Sequence, residues 1–242
     1  MTNRWRVAAS RDRRGRLLGD GGEVRLPTIL GVGIGLVVLV VLAIRIAYLT
    51  GVIDDHRDDR PRVLILGDSI TDRGQRALRA ELGAAYDLSI DGKASFRIDQ
   101  QLPSAQRWST RPFSQVVINL GTNDADQGWP PAESAAALTE MVGLFPDATC
   151  IHLVTINERP PDLHGGEPAR AAKALNEHIR ELSVSDPRVR MVDFDAILRR
   201  LSAEGFEPTL DGIHPTDETH ELLAQAIAES LDACNVTSGT TG

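Results

Sequence analysis

The sequence predicts an α/β fold: a five-stranded parallel sheet covered by helices on both sides, with one transmembrane helix ahead of it. Two patterns carry this reading. Between Arg62 and Phe194, five short apolar runs alternate with stretches of helical periodicity. Strands buried on both faces, separated by helices, belong to βαβ units. Ahead of them, Leu26–Ile44 is a run of nineteen residues without a charge, and a soluble helix of that length would keep one polar face.

Taken from the N-terminus, residues 1–27 hold seven arginines against three acidic residues, a net +4, and read as a basic cytoplasmic tail. Residues 28–50 read as the transmembrane helix. About twenty residues at about 1.5 Å each cross a hydrocarbon core of about 30 Å, and Arg45 lies near one end, where its stem can snorkel. The positive-inside rule then places everything that follows outside the cytoplasm. The long basic segment, and no small-x-small site near residue 50, favour an uncleaved anchor over a signal peptide. Residues 51–61, "GVIDDHRDDRP", are charged, end in proline and read as a linker.

The outer domain spans residues 62–234. Strands are predicted at 62–67, 86–91, 115–121, 150–156 and 189–194, where runs such as "RVLILG" and "QVVINLG" occur. Helices are expected at about 71–82, 97–107, 132–145, 169–183 and 217–233; in the fourth, Leu175, Ile179 and Leu182 share one face. Residues 235–242, "NVTSGTTG", read as a disordered polar tail. Cys150 begins the fourth strand and Cys234 ends the last helix, so both lie at the same end of the sheet. They can bridge if that helix packs beside the fourth strand, and are too far apart if it covers the first and third.

Charge narrows the function. The chain carries −8 overall, so with +4 in the tail residues 28–242 hold −12. That argues against a nucleic-acid partner, which selects a basic face. Two cysteines do not make a zinc site alone, and no metal or organic cofactor is implied. The oligomeric state is not readable.

In an open parallel sheet, ligands gather beyond the carboxyl ends of the strands. The first strand delivers Gly67, Asp68 and Ser69 there, and the second delivers "DGKAS", Asp91 to Ser95. The third delivers "GTND", Gly121 to Asp124, and the fourth Asn157 and Glu158. Asp211 and His214, in "DGIHP", precede the last helix. A serine hydroxyl becomes a nucleophile when histidine takes its proton, and the histidine needs a carboxylate on its other nitrogen. Two intervening residues let Asp211 and His214 meet in one tight turn. Oxyanion donors are also required; the candidates are the Ser69 N–H, an N–H of the "DGKAS" loop and the Asn123 amide.

These blocks resemble the SGNH/GDSL hydrolases, serine esterases and acyltransferases with a flavodoxin-like three-layer αβα sandwich. "GDSI" matches the block of the nucleophile, Ser69; "GTND" matches that of Asn123; and "DGIHP" matches that of Asp211 and His214. The second block departs: the position usually held by an oxyanion-hole glycine falls on Ser95, while a register shifted by three restores Gly92. A backbone donor survives a change from glycine to serine provided φ is negative. "DGKAS" is also similar to the variant of membrane-linked O-acyltransferases of envelope polysaccharides, which generally draw acyl groups through a multi-span domain that this chain lacks.

The resemblance implies an extracytoplasmic, membrane-anchored serine esterase acting on a small-molecule or glycan ester. Ser69, His214 and Asp211 are the expected triad, and Ser69, Ser95 and Asn123 the expected oxyanion hole. O-acyl transfer, or a non-catalytic glycan- or partner-binding domain, are the alternatives. Other polar residues have plainer expectations: Asp68 and Asp124 as anchors of their turns, His152 as a core residue, His164 as a surface residue. His178 and His220 need no role, and Trp108 and Trp129 either pack at loop bases or line a carbohydrate or acyl site.

Overall fold

The computed structural model describes residues 59–163 and 166–238, together with Val40. The basic tail, the expected transmembrane helix apart from Val40, and most of the linker lie outside the described residues, as do His164 and the last four residues of the tail. Among the described residues no helix is long and apolar enough to cross a membrane.

Five parallel strands form the sheet: β1 (Arg62–Gly67), β2 (Asp87–Gly92), β3 (Gln115–Asn119), β4 (Cys150–Val154) and β5 (Val189–Val192). Their order is β2-β1-β3-β4-β5, the flavodoxin-like order with its switch point between β1 and β3. The helices are α1 (Ser69–Leu82), α2 (Ile98–Trp108), α3 (Thr122–Asp126), α4 (Pro131–Gly143), α5 (Pro168–Ser185), α6 (Phe194–Ala203) and α7 (Asp217–Ser238).

Alternation along the strands divides the core into two layers. Leu64 and Leu66 of β1 join Val116, Ile118, Ile151 and Leu153 beneath α2, α4 and α5. Val63 and Ile65 point the other way and pack with Val117, Val154 and residues of α1, α6 and α7. The apolar runs of β1, β3 and β4 are continuous because both faces are covered. At the sheet edge, β2 is only partly buried, and its composition is correspondingly polar.

Two helices depart from the sequence reading, α3 and α6. The five residues of α3 are too few to show a period. In α6, Phe194, Leu198 and Leu201 are buried on one face behind an Asp193 N-cap that accepts from Ala196 N–H. That pattern was legible, but it follows β5 without a break. Finally, α7 continues through Ser238, past its expected end at 233. It packs beside β4, and Cys150 and Cys234 form a disulfide with a Cα–Cα distance of 6.4 Å.

Candidate active site

Ser69 is the first residue of α1, and its preceding residue makes that position possible. Asp68 caps the helix, its Oδ1 accepting from Ile70 N–H at 2.9 Å, while Asp68 N–H donates to Asn119 O at 3.4 Å. The carboxyl is fully buried, and desolvation together with nearby Asp124 pushes its pKa up to about 7, against the hydrogen bonds that lower it. Asp68 is thus an anchor of the turn. Asp124 has the parallel role, accepting from Ile98 N–H at 3.1 Å and joining α3 to the start of α2.

The loop before α7 carries the histidine. Its ends are closed by an antiparallel bridge between Thr209 and Pro215, with Leu210 N–H donating to His214 O at 2.7 Å. Asp211 Oδ1 accepts from Ile213 N–H at 3.0 Å and from His214 N–H at 2.8 Å. The turn between them needs Gly212, whose φ is +85° and which lies so close to Pro161 that a Cβ would clash. Asn157 Nδ2 donates to Gly212 O at 3.2 Å, tying the loop to the end of β4.

This arrangement brings the three expected residues together. Ser69 Oγ lies 3.1 Å from His214 Nε2, and His214 Nδ1 lies 2.7 Å from Asp211 Oδ2. Partial burial pushes the Asp211 carboxyl up, but the His214 and Ile213 N–H groups and the imidazole outweigh it and hold the pKa at about 2. Asp211 is therefore ionised at neutral pH.

The second-block loop is held at several points. Lys93 N–H donates to Gly67 O at 2.9 Å and Phe96 N–H to Lys93 O at 3.2 Å. From α3 and its end, Asn123 Nδ2 donates to Phe96 O at 3.1 Å, and Gln127 Nε2 to Ser95 O at 3.1 Å. Gln127 carried no signal in the sequence. Asn123 Nδ2 also reaches Asp68 Oδ2, at a long 3.4 Å.

Ser95 corrects one expectation. Its φ is +62°, the sole positive value at a non-glycine among the described residues. The condition of negative φ fails, but the serine holds the backbone conformation a glycine would adopt there, so the N–H keeps its direction at the expense of strain. The turn demands the left-handed region, which explains why a glycine is usual there; serine occupies it at a cost of about 1–2 kcal/mol. Gly92, the alternative, lies inside β2 and not in the turn. It pairs with Gly67, and because the next N–H, that of Lys93, points to β1, its own points to the open edge.

The remaining residues fall as expected or acquire partners. His152 is buried at the opposite pole between Ser230 Oγ at 2.7 Å and Gln115 Oε1 at 2.8 Å. His178 contacts Thr139 and Glu181 on the helical surface, and His220 packs against Gly74 between α7 and α1. Trp129 lies under the Arg97 guanidinium, and Trp108 Nε1 donates to Asp91 Oδ2 at 2.8 Å. Among the described residues, Cys150, His152 and Cys234 form a cluster with metal-ligand spacing. Its sulfurs are already bonded to each other and both imidazole nitrogens have protein partners.

A flavodoxin-like sheet with a Ser–His–Asp constellation at its carboxyl rim defines a serine ester hydrolase. Residues 65–222 match the GDSL-like lipase/acylhydrolase family, and the chain belongs to it. Among curated proteins none matches. Solved structures share the fold at low identity. A lipolytic protein of the G-D-S-L family from Veillonella parvula is 17% identical with a TM-score of 0.60, covering 69% of this chain and 96% of that one. The C-terminal catalytic domain of peptidoglycan O-acetyltransferase A from Streptococcus pneumoniae is 19% identical, with a TM-score of 0.58 and coverage of 73% and 95%. An acetylxylan esterase from Geobacillus stearothermophilus is 16% identical, with a TM-score of 0.56 and coverage of 70% and 93%.

Proposed function

We propose that this chain is a membrane-anchored, extracytoplasmic serine esterase that removes a short acyl group from a polar carrier through an acyl-enzyme on Ser69. The observation that carries the chemistry is the pair of contacts across 145 residues of sequence: Ser69 Oγ to His214 Nε2 at 3.1 Å, continued by His214 Nδ1 to Asp211 Oδ2 at 2.7 Å.

As Ser69 Oγ bonds to the ester carbonyl carbon, its proton passes to His214 Nε2 and the carbonyl electrons move onto oxygen. Asp211 holds the imidazole by Nδ1 and stabilises the imidazolium. The oxyanion is received by the N–H groups of Ser69 and Ser95 and by the Asn123 amide, which exchanges its 3.4 Å bond to Asp68 for the new acceptor. The intermediate collapses, the alcohol leaves with the proton from His214, and water repeats the sequence to free the acid. A glycan hydroxyl in place of water would make the same acyl-enzyme a transferase. The Asp91-Gly92-Lys93 stretch, similar to that of membrane-linked O-acyltransferases, supports that second activity.

A short acyl group is favoured by a small apolar cavity among residues that adjoin Ser69, Asn123 and His214 in sequence. Ile70, Ala125, Ile156, Pro160, Phe194 and Ile213 enclose a cavity of about 10 Å³, near the minimum that admits one water molecule. A cavity of that size leaves no room for a long acyl chain. Solved structures of the same fold include an acetylxylan esterase and a peptidoglycan O-acetyltransferase.

The location is supported by the uncharged Leu26–Ile44 run behind seven arginines, and by the Cys150–Cys234 disulfide, a bond that persists in oxidising compartments. The test of function is hydrolysis of a chromogenic acetate ester by the full chain, with labelling by a serine-directed probe. Ser69→Ala is expected to abolish both. Wild-type protein that neither turns over the ester nor takes the label would leave a binding domain on a hydrolase scaffold.

A further inference from the structure

The loop that carries Ser95 also forms the rim of a second depression, on the outer edge of β2. It has a volume of about 340 Å³ and is lined by Ile90, Asp91, Lys93, Ser104, Arg107, Trp108 and Arg111. Three cations therefore face one carboxylate, on a domain whose overall charge is strongly negative. The carboxylate is already committed. Asp91 Oδ1 pairs with Lys93 Nζ at 3.0 Å, and Oδ2 accepts from Ser104 Oγ at 2.5 Å and Trp108 Nε1 at 2.8 Å. These contacts, led by the Ser104 and Trp108 hydrogen bonds after the opposing effect of burial, hold its pKa below the ordinary range.

Asp91 thus works as a bracket that fixes Lys93 and the indole. Lys93 keeps donors to spare. Arg107 is oriented by neutral acceptors, donating to Pro103 O at 2.9 Å and Ser104 Oγ at 2.9 Å. The Arg111 guanidinium lies over the Trp108 ring, 4.8 Å from its centroid, a stacking that stiffens a planar donor fork. The cleft begins at Lys93, one residue beyond Gly92, which pairs with Gly67. From there it descends the free edge of the sheet to Arg107 and Arg111 at the C-terminal end of α2, where Arg111 neighbours Arg62 at the start of β1, so a chain of several sugar units is needed to join it to Ser69.

We infer that this cleft is a subsite for an anionic group, carboxylate or phosphate, on the glycan whose ester is cleaved at Ser69. The inference rests on the esterase reading and adds the carrier's charge to it. An anion seated between Lys93, Arg107 and Arg111 extends the substrate along the free edge of β2 while its ester lies at Ser69. The bidentate geometry of arginine suits both anions.

Two kinds of measurement on the full chain decide the matter. In the first, kcat/KM is compared for an O-acetylated oligouronate, an O-acetylated glycerol-phosphate oligomer and a neutral acetyl-xylooligosaccharide. The double variant R107Q/R111Q is expected to lose about tenfold or more on one anionic ester, mainly through KM. The loss should shrink with added salt, with hydrolysis of a chromogenic acetate unchanged. The oligomer that loses identifies the anion. In the second, binding of the two non-acetylated anionic oligomers is followed by tryptophan fluorescence, which needs no turnover. Weaker binding by the double variant, with native circular dichroism, supports the subsite. If wild type binds neither oligomer, or the double variant binds as wild type does, the subsite is overturned even when Ser69-dependent hydrolysis is intact. If no chromogenic ester is cleaved but binding depends on the two arginines, the esterase reading fails and the anion site stands.

Discussion

At the scale of single residues, Ser95 carries a cost that its position imposes. Its left-handed φ of +62° lies in a loop pinned by Lys93, Asn123 and Gln127, so the serine cannot relax without breaking those bonds. Ser95→Gly is expected to raise stability by about 0.5–1 kcal/mol, the relief of strain less the extra freedom of the unfolded chain, measured as a shift in urea midpoint at unchanged m. Esterase activity should persist, because the donor is backbone. Asp211→Asn tests the triad differently: the imidazole loses its anion and its tautomer is no longer fixed, so kcat should fall by about 10³–10⁴ with little change in KM. Asp68 makes a prediction about pH. In the unfolded chain it titrates near 3.8 and in the folded protein at about 7, chiefly because burial disfavours the charge. Between those values the folded protein holds a proton that the unfolded chain has released, so this group's stabilisation is complete below pH 3.8 and is lost as pH rises through 7. Asp68→Asn should flatten the decline in stability between pH 4 and 7, read by denaturant titration at each pH.

Among elements, what the sequence showed and what it hid follow one physical division. The strands β1, β3 and β4 are apolar on both faces, so they stand out against helices whose apolar residues recur every third or fourth position. Ser69, Asn123, Asp211 and His214 were findable because chemistry at a parallel sheet collects at one rim, and each falls just beyond a strand or before a helix. What that pattern could not show was detail set by neighbours remote in sequence. Gln127 clamps Ser95 O and does not look special alone; Asn157 is placed at the rim by its strand, but its clamp on Gly212 O depends on a loop remote in sequence. The small apolar cavity proposed for the acyl group is of this kind, since α1, α3, the end of β4, the start of α6 and the 212–213 turn each contribute a wall. Its size is a property of that assembly. Ile156, buried at its side, sets one wall, and Ile156→Ala opens room for further methylene groups. Activity on a butyrate ester relative to acetate should rise about tenfold or more, since each methylene in an apolar pocket is worth about 1–3 kcal/mol. The substitution should also cost about 2–4 kcal/mol of stability, so the ratio of the two esters, not either rate alone, is the informative readout.

For the domain as a whole, the pole opposite the active rim fastens the last helix to the sheet. The Cys150–Cys234 disulfide joins β4 to α7. Around it, Gln115 Nε2 donates to Leu231 O at 3.3 Å and Asn235 Oδ1 at 2.9 Å, and Tyr86 donates to Asp232. His152 completes the group between Ser230 and Gln115; burial, aided by Arg190, lowers its pKa to about 4. Its contribution is therefore complete above the unfolded value of 6.5 and lost as pH falls through 4, opposite in sign to that of Asp68. Because α7 begins three residues after His214, this distant fastening also fixes the end of the chain segment that presents the imidazole to Ser69. The disulfide closes a sequence separation of 84 residues, for which loop-closure entropy predicts about 4–5 kcal/mol and typical measured losses are about 2–5 kcal/mol. Replacing both cysteines by alanine should lower the urea midpoint by an amount in that range. Ester hydrolysis at low temperature should remain near wild type, since the core layer that includes Val63, Ile65, Leu223 and Ile227 still holds α7 against the sheet and α1. A double variant that unfolds at the wild-type midpoint would show that the core alone secures the helix. One that keeps its midpoint but loses hydrolysis would place the bridge in control of the His214 loop.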